Sequence, residues 1–356
     1  MRVPLALVVA LALGACGKAP QLASPTQLQG LTAQKTAHGG YKSGNRTLYV
    51  LPEAGPGFLH EAIAKAKRVI RLEVYILTEQ GVVDGLIAAK ARGVDVQVMV
   101  EPKPYNPGNP NLPLPVNHKA INALRAGGVA VADTNPAYTY THAKFMSVDD
   151  AVTFVSTANF TKTGLGVDPK GNREYVVEDR APADVAEFVR VFQADQARVA
   201  YTPTNPDSVI SPVNSRAQIL GVIASAKKDV LIADEVAGDP GVAAAIKAAT
   251  SRGVRVRGLL EDFKPSASEP DPLNYQTARA WTAAGATVRL MTVPTLHAKT
   301  VIADGRSMYV GSENLTTNSL DHNREIGLRL DDPALVAPVL KTTEGDWAGA
   351  HPAPAK

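Results

Sequence analysis

Apolar residues recur along most of the chain after about residue 46 in two alternating patterns. One pattern has helical periodicity and predicts helices at 58–67, 82–91, 117–126 and 183–198. The other consists of short apolar runs bounded by Gly, Pro or charged residues, and it predicts strands at 69–77, 94–100, 142–149, 151–156 and 174–179. Strands that alternate with helices in this way are typical of an α/β sandwich.

The second half of the chain repeats the order of elements found in the first half. Matched segments are Arg92-Gly93-Val94 with Arg252-Gly253-Val254, and Asn172-Arg173-Glu174 with Asn323-Arg324-Glu325. The offset is 160 for the first pair and 151 for the second, so loops differ in length while the elements correspond. We therefore predict an internal duplication into two similar α/β sandwich units, at 46–201 and 202–356, packed about a pseudo-twofold axis.

A polar motif also occurs twice. His142-x-Lys144-x4-Asp149, followed by Asn159, returns 155 positions later as His297-x-Lys299-x4-Asp304, followed by Asn314. On a strand, residues two apart point to the same face, so each His projects beside its Lys. If the two units pack about a twofold axis, both pairs converge on one cleft, and the sequence predicts a single shared active site.

The chemistry of that cleft matches a phosphodiester. It offers two imidazoles, two ammonium groups and two carboxamides, with no set of carboxylates or thiols suited to a metal. The non-bridging oxygens can lie among Lys144, Lys299, Asn159 and Asn314. One neutral imidazole can attack phosphorus while the other, protonated, donates a proton to the leaving alkoxide. Because the lysines supply the positive charge, we expect neither a metal nor a cofactor.

These motifs resemble those of the phospholipase D superfamily, which is defined by a duplicated His-x-Lys-x4-Asp-x6-Gly-Ser-x-Asn pattern. The resemblance covers about residues 46–350, and the second copy fits throughout, including Gly311 and Ser312. The first copy has Ser156 and Thr157 where Gly-Ser is usual. The resemblance implies a covalent phosphohistidine intermediate, with His142 as the nucleophile and His297 as the acid and then the base.

The same resemblance assigns roles to the residues around the histidines. Glu174 and Glu325 are expected to hydrogen-bond the outer histidine nitrogens and so fix tautomer and orientation. Thr157 and Ser312 are expected either to contact the phosphate or to be turn residues. Asp149 and Asp304 are expected to have a structural role at strand ends, away from the phosphate. Arg173 and Arg324, next to the glutamates, suit structural ion pairs as well as substrate contact.

The amino-terminal residues predict export. Arg2 and the apolar run from Val3 to Leu13 form a signal peptide over residues 1–15, too short to span a bilayer. Leu13-Gly14-Ala15-Cys16 resembles the lipobox of bacterial lipoproteins, which implies that Cys16, the single cysteine, carries lipid. Residues 16–45 are predicted to be a flexible tether. Gly17, by resemblance to Gram-negative lipoproteins, favours the outer membrane or cell surface.

Composition and the predicted membrane anchor favour one class of substrate over the others. A net charge of +3 and 5% aromatic residues give no sign of a dedicated nucleic-acid binder. An anchored enzyme lies beside phospholipid, so we expect hydrolysis of phospholipid head-group diesters. An exported non-specific endonuclease acting on nucleic acid is the first alternative, followed by cardiolipin-type phosphatidyl transfer and by a catalytically silent binding lipoprotein. The sequence leaves the oligomeric state open.

Overall fold

The computed structural model describes residues 33–106 and 112–354, which belong to one compact unit beginning at Ala33. The predicted signal peptide, the lipidation site Cys16 and the tether as far as residue 32 lie outside the described residues. The two predicted repeats both lie within the compact unit, so their relation to each other can be followed directly.

The first repeat contains the following elements. Its strands are β1 (Gln34–Lys35), β2 (Tyr41–Ser43), β3 (Arg46–Leu51), β4 (Val69–Val74), β5 (Asp95–Val100), β6 (Ala130–Asp133), β7 (Lys144–Val148), β8 (Val152–Ser156) and β9 (Glu174–Asp179). Its helices are α1 (Gly57–Lys65), α2 (Gln80–Ala91), α3 (His118–Ala126, after a 3₁₀ turn at Pro115–Asn117) and α4 (Pro182–Ala197).

The second repeat follows the same order. Its strands are β10 (Ser208–Ser211), β11 (Asp229–Asp234), β12 (Arg255–Glu261), β13 (Thr287–Met291), β14 (Lys299–Ala303), β15 (Ser307–Gly311), β16 (Glu325–Leu330) and β17 (His351–Pro352). Its helices are α5 (Ser215–Ser225), α6 (Pro240–Ser251), α7 (Leu273–Ala283), α8 (Thr317–Asp321) and α9 (Pro333–Gly349). The prediction of two similar α/β units is confirmed.

Corresponding residues begin corresponding helices. The Glu79 carboxylate accepts the backbone N–H groups of Gly81 and Val82 at the start of α2. In the second repeat, Asp239 accepts the N–H of Val242 at the start of α6. An acidic side chain at this position satisfies free N–H donors and interacts favourably with the helix dipole. The duplication therefore extends to the local signals that start each helix.

Each repeat contributes one mixed sheet. Among the described residues, the first sheet has the order β1-β2-β3-β9-β8-β7-β4-β5-β6, and the second has the order β10-β16-β15-β14-β11-β12-β13-β17. Strands β4, β5 and β6 are parallel, and β7 is antiparallel to β4, so Val74 at the end of β4 pairs with Lys144 at the start of β7. Strands β11 to β14 repeat this arrangement. We call the edge formed by the carboxyl ends of these parallel strands the cleft edge.

Three hydrophobic cores hold the layers together. One lies between the first sheet and helices α1 to α3, and a second lies between the second sheet and helices α5 to α7. The central core joins the inner faces of both sheets with α4 and α9, through side chains such as Phe145, Phe188, Ile302 and Val336. The central core joins the repeats and holds their cleft edges side by side.

The predicted tether extends too far. Residues 34–43, which the composition assigned to the tether, contain β1 and β2, and β2 pairs with β3. The hairpin turn has Gly39 at φ 73°, in the left-handed region, and Tyr41 packs against the central core. Short strands beside polar residues have weak periodicity, so backbone pairing rather than apolar pattern determines this segment.

Among residues 33–106 and 112–354, no helix combines the length and the apolar character required to cross a bilayer.

Candidate active site

The two histidines lie at the cleft edge, two residues before the strands that begin with their lysines. Their backbones are aligned by contacts between repeats: Thr141 bridges to Arg324, and Arg173 bridges to Leu296. The His142 N–H donates to the Arg324 carbonyl at 2.8 Å, and the His297 N–H donates to the Arg173 carbonyl at 3.3 Å. The segment before each histidine therefore lies beside the segment before the other repeat's glutamate.

As a result, each histidine is paired with the glutamate of the other repeat. Nδ1 of His142 hydrogen-bonds the Glu325 carboxylate at 2.9 Å, and Nδ1 of His297 lies 2.6 Å from Oε1 of Glu174. Both glutamate side chains are fully buried. A carboxylate on Nδ1 leaves Nε2 directed towards the cleft. The crossing of these pairs means that neither repeat holds a complete site alone.

Buried polar groups hold the two glutamates in place. Oε1 of Glu325 accepts from the Ser319 hydroxyl at 2.8 Å and from the Asn323 amide at 3.0 Å. Although burial opposes it, the charge of His142 and its hydrogen bond lower the pKa of Glu325. Oε2 of Glu174 accepts from the Thr157 hydroxyl at 2.5 Å. Each carboxylate is thus oriented before substrate arrives.

The hydroxyl groups of the two motifs bond to the protein itself. Thr157 donates to Glu174 and accepts from the Tyr175 N–H, and Ser312 accepts from the Ile326 N–H at 2.9 Å. Both residues are completely buried. Ser156, which replaces the usual Gly, accepts the Ala158 N–H within its own turn. In the structure these hydroxyls bond to protein groups, and a contact of Thr157 or Ser312 with the phosphate stays a prediction.

The first half of the cleft contains an aromatic ring beside His142 and Lys144. The Tyr75 ring meets the His142 ring edge-on at 4.6 Å, and Nζ of Lys144 lies 5.3 Å from its centre. Burial lowers the pKa of His142, and it lowers that of Lys144 to about 7, against the opposing charge of Glu325. Lys144 donates to the His142 carbonyl. Burial therefore favours a neutral imidazole at His142, the form that can attack phosphorus.

The second half contains a carboxylate that the sequence analysis missed. Glu235 is 160 positions after Tyr75, and it follows β11 as Tyr75 follows β4. Its Oε2 accepts from Nζ of Lys299 at 2.8 Å and lies 3.3 Å from Nε2 of His297. Burial opposes ionisation, but the charges of His297 and Lys299 lower the pKa of Glu235. The signal that could have identified Glu235 is the change from Tyr75 to a carboxylate at the matched position of the second repeat.

The two asparagines carry acceptors that no other group satisfies. Oδ1 of Asn159 and Oδ1 of Asn314 are buried and make no hydrogen bond with the described residues. A buried polar atom without a partner is uncommon and indicates a place for a ligand or water. Asn159 and Asn314 are the two carboxamides predicted to bind a phosphate, which they would do through their N–H groups, so the unpaired oxygens themselves suit a donor such as water.

Asp149 and Asp304 lie at the opposite edge of the sheets. Asp149 accepts the backbone N–H groups of Lys67, Arg68 and Val69. Asp304 accepts those of Lys227, Lys228 and Asp229 in the same way. Both aspartates have a positive φ, 56° and 53°. These contacts connect the starts of β4 and β11 to the turns after β7 and β14, away from the histidines.

Ion pairs between the repeats form a frame below the site. Nε of Arg324 lies 2.8 Å from Asp195 in α4, and Nε of Arg173 donates to Asp346 in α9 at 2.7 Å. Arg324 is completely buried, so its contacts are structural. Two further acids fix the residues before the histidines: Glu101 and Glu261 accept the backbone N–H groups of Thr141 and Leu296.

A cavity of about 570 Å³ lies on the side of the first repeat. Its lining includes Tyr105, Tyr138, Tyr140 and Arg198, together with residues of the proline-rich segment after β5. The Tyr75 hydroxyl, which accepts the Tyr105 N–H at 2.6 Å, links this lining to the ring beside His142. Within the described part of the chain, no group of three or more His, Cys, Asp or Glu side chains is arranged to hold a metal ion.

Comparison with known families agrees with this duplicated site. Residues 59–196 and 219–347 each match the family model described as "Cardiolipin synthase, PLD-like domain". Cardiolipin synthase B of Salmonella typhi is 26% identical over 341 aligned residues, which cover 82% of this chain and 78% of the relative. The relative thus matches across both repeats.

Solved structures with the same fold include two bacterial enzymes. Phosphatidylserine synthase of Haemophilus influenzae superposes with a TM-score of 0.67 at 15% identity, covering 90% of this chain and 88% of that one. Polyphosphate kinase of Porphyromonas gingivalis superposes with a TM-score of 0.63 at 15% identity, covering 91% of this chain. This chain spans about half of that kinase, 53%. At such identities the likeness concerns the fold.

Proposed function

This chain belongs to the phospholipase D superfamily, and from that premise we propose that it cleaves phospholipid head-group diesters through a covalent phosphohistidine. The observation that carries the proposal is the crossed pairing of His142 with Glu325 and of His297 with Glu174. Two oriented imidazoles, each beside a buried lysine, provide a nucleophile and an acid for one phosphorus atom.

In the first step, Nε2 of His142 attacks phosphorus. Its neutral form is favoured by burial, and Glu325 stabilises the positive charge that develops on the ring. Lys144, Lys299 and the amides of Asn159 and Asn314 surround the oxygens that gain negative charge. His297 donates its Nε2 proton to the departing head-group alcohol, and the P–O bond breaks as the N–P bond forms.

In the second step, the roles of the histidines change. His297, now neutral at Nε2, takes a proton from the acceptor, and the acceptor oxygen attacks the phosphohistidine. The N–P bond then breaks and His142 returns to its neutral form. Water as the acceptor gives phosphatidic acid, and this is the reaction we propose.

Phosphatidyl transfer to an alcohol is the second candidate. It is supported by the matching family model and by the relative from Salmonella typhi, both described as cardiolipin synthase. The phosphohistidine is common to both reactions, so the two candidates differ only in the acceptor. A phospholipid substrate is also supported by the fold shared with phosphatidylserine synthase.

We also propose that the protein is an exported lipoprotein, anchored in a membrane through Cys16. Cys16→Ala should then release it from the membrane fraction while turnover of soluble diesters is unchanged. Continued attachment of the Cys16→Ala protein to membranes would refute the anchor and leave the catalytic proposal intact.

The decisive experiment measures turnover on mixed phospholipid vesicles and, in parallel, on single- and double-stranded DNA. The protein lacks residues 1–16, which keeps the whole compact unit from Ala33, and His297→Ala is the control. Released head group with phosphatidic acid, absent in the control, supports hydrolysis. A new phosphatidyl alcohol on addition of glycerol supports transfer. Cleavage of DNA alone would overturn the proposal in favour of a nuclease.

A further inference from the structure

The described residues expose eight large apolar side chains, and all eight belong to one edge of the molecule. They are between 37% and 85% exposed, and they comprise Tyr105, Leu112, Val167, Val199, Val213, Phe263, Leu273 and Val293. Scattered exposed apolar residues are ordinary, but their confinement to one edge is not. That edge is the cleft edge, where the two histidines lie.

Sheet topology accounts for most of these positions. Tyr105 and Leu112 follow the carboxyl end of β5, Val167 lies between β8 and β9, Phe263 follows β12, and Val293 follows β13. Leu273 begins α7 and lies against Gly238, in the loop that carries Glu235. Each of these loops leaves or enters a sheet at the same edge as the site.

Val199 and Val213 reach the same edge by other routes. Helix α4 runs back from the far end of β9, and Arg198, at its end, lines the cavity beside Tyr138 and Tyr140. Val213 follows β10, whose last residue, Ser211, pairs with Glu325 of the site. We refer to the eight side chains together as the apolar rim.

The opposite edge has a different character. Its turns expose charged side chains, among them Lys67, Arg68, Asp150, Lys227, Lys228, Arg255 and Arg306. The exposed large apolar side chains of the described residues include none from these turns. The cleft edge also exposes charged side chains, among them Lys162, Lys170, Lys264 and Glu269, so the two edges differ in their exposed large apolar side chains and not in charge.

We propose that the apolar rim docks on the surface of a lipid bilayer and holds the cleft against the lipid head groups. The proposal rests on the proposed function, because it identifies the physical form of substrate that the same site receives. Docked in this way, the side chains of the apolar rim enter the head-group layer while the opposite edge stays in water. A phosphodiester of the bilayer then lies below His142 and Lys144.

The arrangement of the rim favours a bilayer over a protein partner. Its members come from separate loops with polar residues between them, whereas a protein interface needs a continuous apolar centre. A fluid layer accommodates separate side chains, each of which gains by leaving water. Tyr105 suits this position because tyrosine combines an apolar ring with a polar hydroxyl, a combination enriched at membrane surfaces.

The test compares two double variants of the chain without residues 1–16. Val167→Ser with Val293→Ser removes one rim side chain from each repeat, and neither residue contacts the site. Lys67→Ser with Lys228→Ser is the matched control at the opposite edge. Binding is measured by co-flotation with vesicles of phosphatidylethanolamine and phosphatidylglycerol, in proteins that also carry His297→Ala so that no lipid is consumed.

We expect the rim variant to lose binding by about tenfold or more, and the control to bind like the parent. With His297 restored, the rim variant should lose turnover on vesicles by a similar factor. Its turnover on a short-chain diester below the micellar concentration should be unchanged. Circular dichroism melts establish that both variants are folded.

The outcomes separate the two proposals. If the parent floats with vesicles and the rim variant does not, docking stands even when neither protein cleaves lipid, and only the proposed function fails. If the rim variant binds like the parent, or the parent does not bind at all, the docking proposal is wrong. If the rim substitutions instead change the oligomeric state, measured by light scattering, the rim is an interface between copies and the proposal is also wrong.

Discussion

The two halves of the cleft share histidine, lysine, asparagine and glutamate at matched positions, yet they differ in the residue that lies beside each histidine. The first half has Tyr75, whose ring faces His142, and the second half has Glu235, whose carboxylate faces His297 and Lys299. A duplicated scaffold supplies the same groups twice, but the reaction needs them in different protonation states. Differences at single positions can supply that asymmetry.

The comparison indicates how the roles are divided. A buried imidazole beside an aromatic ring is favoured as a neutral nucleophile, and the lowered pKa of His142 agrees with this. The ring of His297 lies between two carboxylates, Glu174 near Nδ1 and Glu235 near Nε2. An imidazole donates from both nitrogens only when protonated, so this environment suits the acid. We therefore propose His142 as the nucleophile and His297 as the acid, which is the assignment that the family resemblance implies.

The largest expected effect comes from removing either histidine. His142→Ala and His297→Ala should each lower turnover of a phospholipid by roughly 10⁴-fold or more, because the halves are incomplete alone. The variants should differ on a p-nitrophenyl diester, whose leaving group needs no acid. There His297→Ala should release one equivalent of nitrophenol in a burst and then stop, and His142→Ala should release none.

The burst is measured by rapid-mixing absorbance, and mass spectrometry of the trapped protein locates the phosphorylated residue. A burst from His142→Ala, with phosphate on His297, would reverse the assignment of roles. Equal bursts from both variants would show that the difference between Tyr75 and Glu235 has no bearing on which histidine attacks.

The second prediction concerns a substitution that makes the two halves of the cleft alike. Tyr75→Glu places a carboxylate beside Lys144 and His142, in the position that Glu235 has in the second half. We expect kcat/KM for an anionic diester to fall by about 10²-fold, because a charge that should stabilise the transition state is neutralised. Tyr75→Gln is the control for loss of the ring, because glutamine is similar in size to glutamate but uncharged. An equal loss in both variants would assign the effect to packing rather than to charge.

Much of this organisation was accessible from the sequence. The strong apolar periodicity of segments such as 183–198 and 174–179 predicted elements that the structure has within a residue or two. The repeated motif predicted the duplication. Strand β6 was missed because it has four residues, three of them exposed, and so gives little apolar signal. For the same reason β1 and β2 were assigned to the tether.

The site shows a similar division. The residue types followed from a motif whose spacing sets side chains on one strand face. Each histidine pairs with the glutamate of the other repeat, and this pairing depends on how the two sheets approach each other. The apolar periodicity of a single segment does not report how two sheets pack. Glu235 was missed for another reason. It lies outside the motif, and it replaces Tyr75 instead of repeating it, so the matching of the two repeats does not single it out.

The third prediction concerns pH. Burial lowers the pKa of Lys144 to about 7, so in the free enzyme its ammonium is charged below that pH and neutral above it. Because the charged form binds the diester, kcat/KM should fall as pH rises through about 7. Bound anion stabilises the ammonium, so the corresponding fall in kcat should occur at higher pH.

Lys144→Arg sharpens this test, since a guanidinium stays charged across the range. The variant should be slower overall, but the decline in kcat/KM near pH 7 should disappear. Lys299→Arg is the matched control, because Lys299 already has a carboxylate partner in Glu235. If the decline persisted in Lys144→Arg and vanished in Lys299→Arg, Lys299 rather than Lys144 would be the lysine that loses its charge near pH 7.

The smallest expected effect comes from Glu235 itself. Its carboxylate occupies Lys299 and the reactive nitrogen of His297, the same groups that a phosphate oxygen would approach, so it competes with an anionic substrate. Glu235→Gln should therefore lower KM for a soluble diester by roughly tenfold, the worth of one charge-assisted hydrogen bond. Glu235→Asp keeps the charge and should keep most of the competition, and Glu269→Gln, an exposed carboxylate, should change nothing. A rise in KM for Glu235→Gln would mean instead that the carboxylate arranges the cations for substrate, and the second half of the cleft would then depend on Glu235 as the first depends on Tyr75.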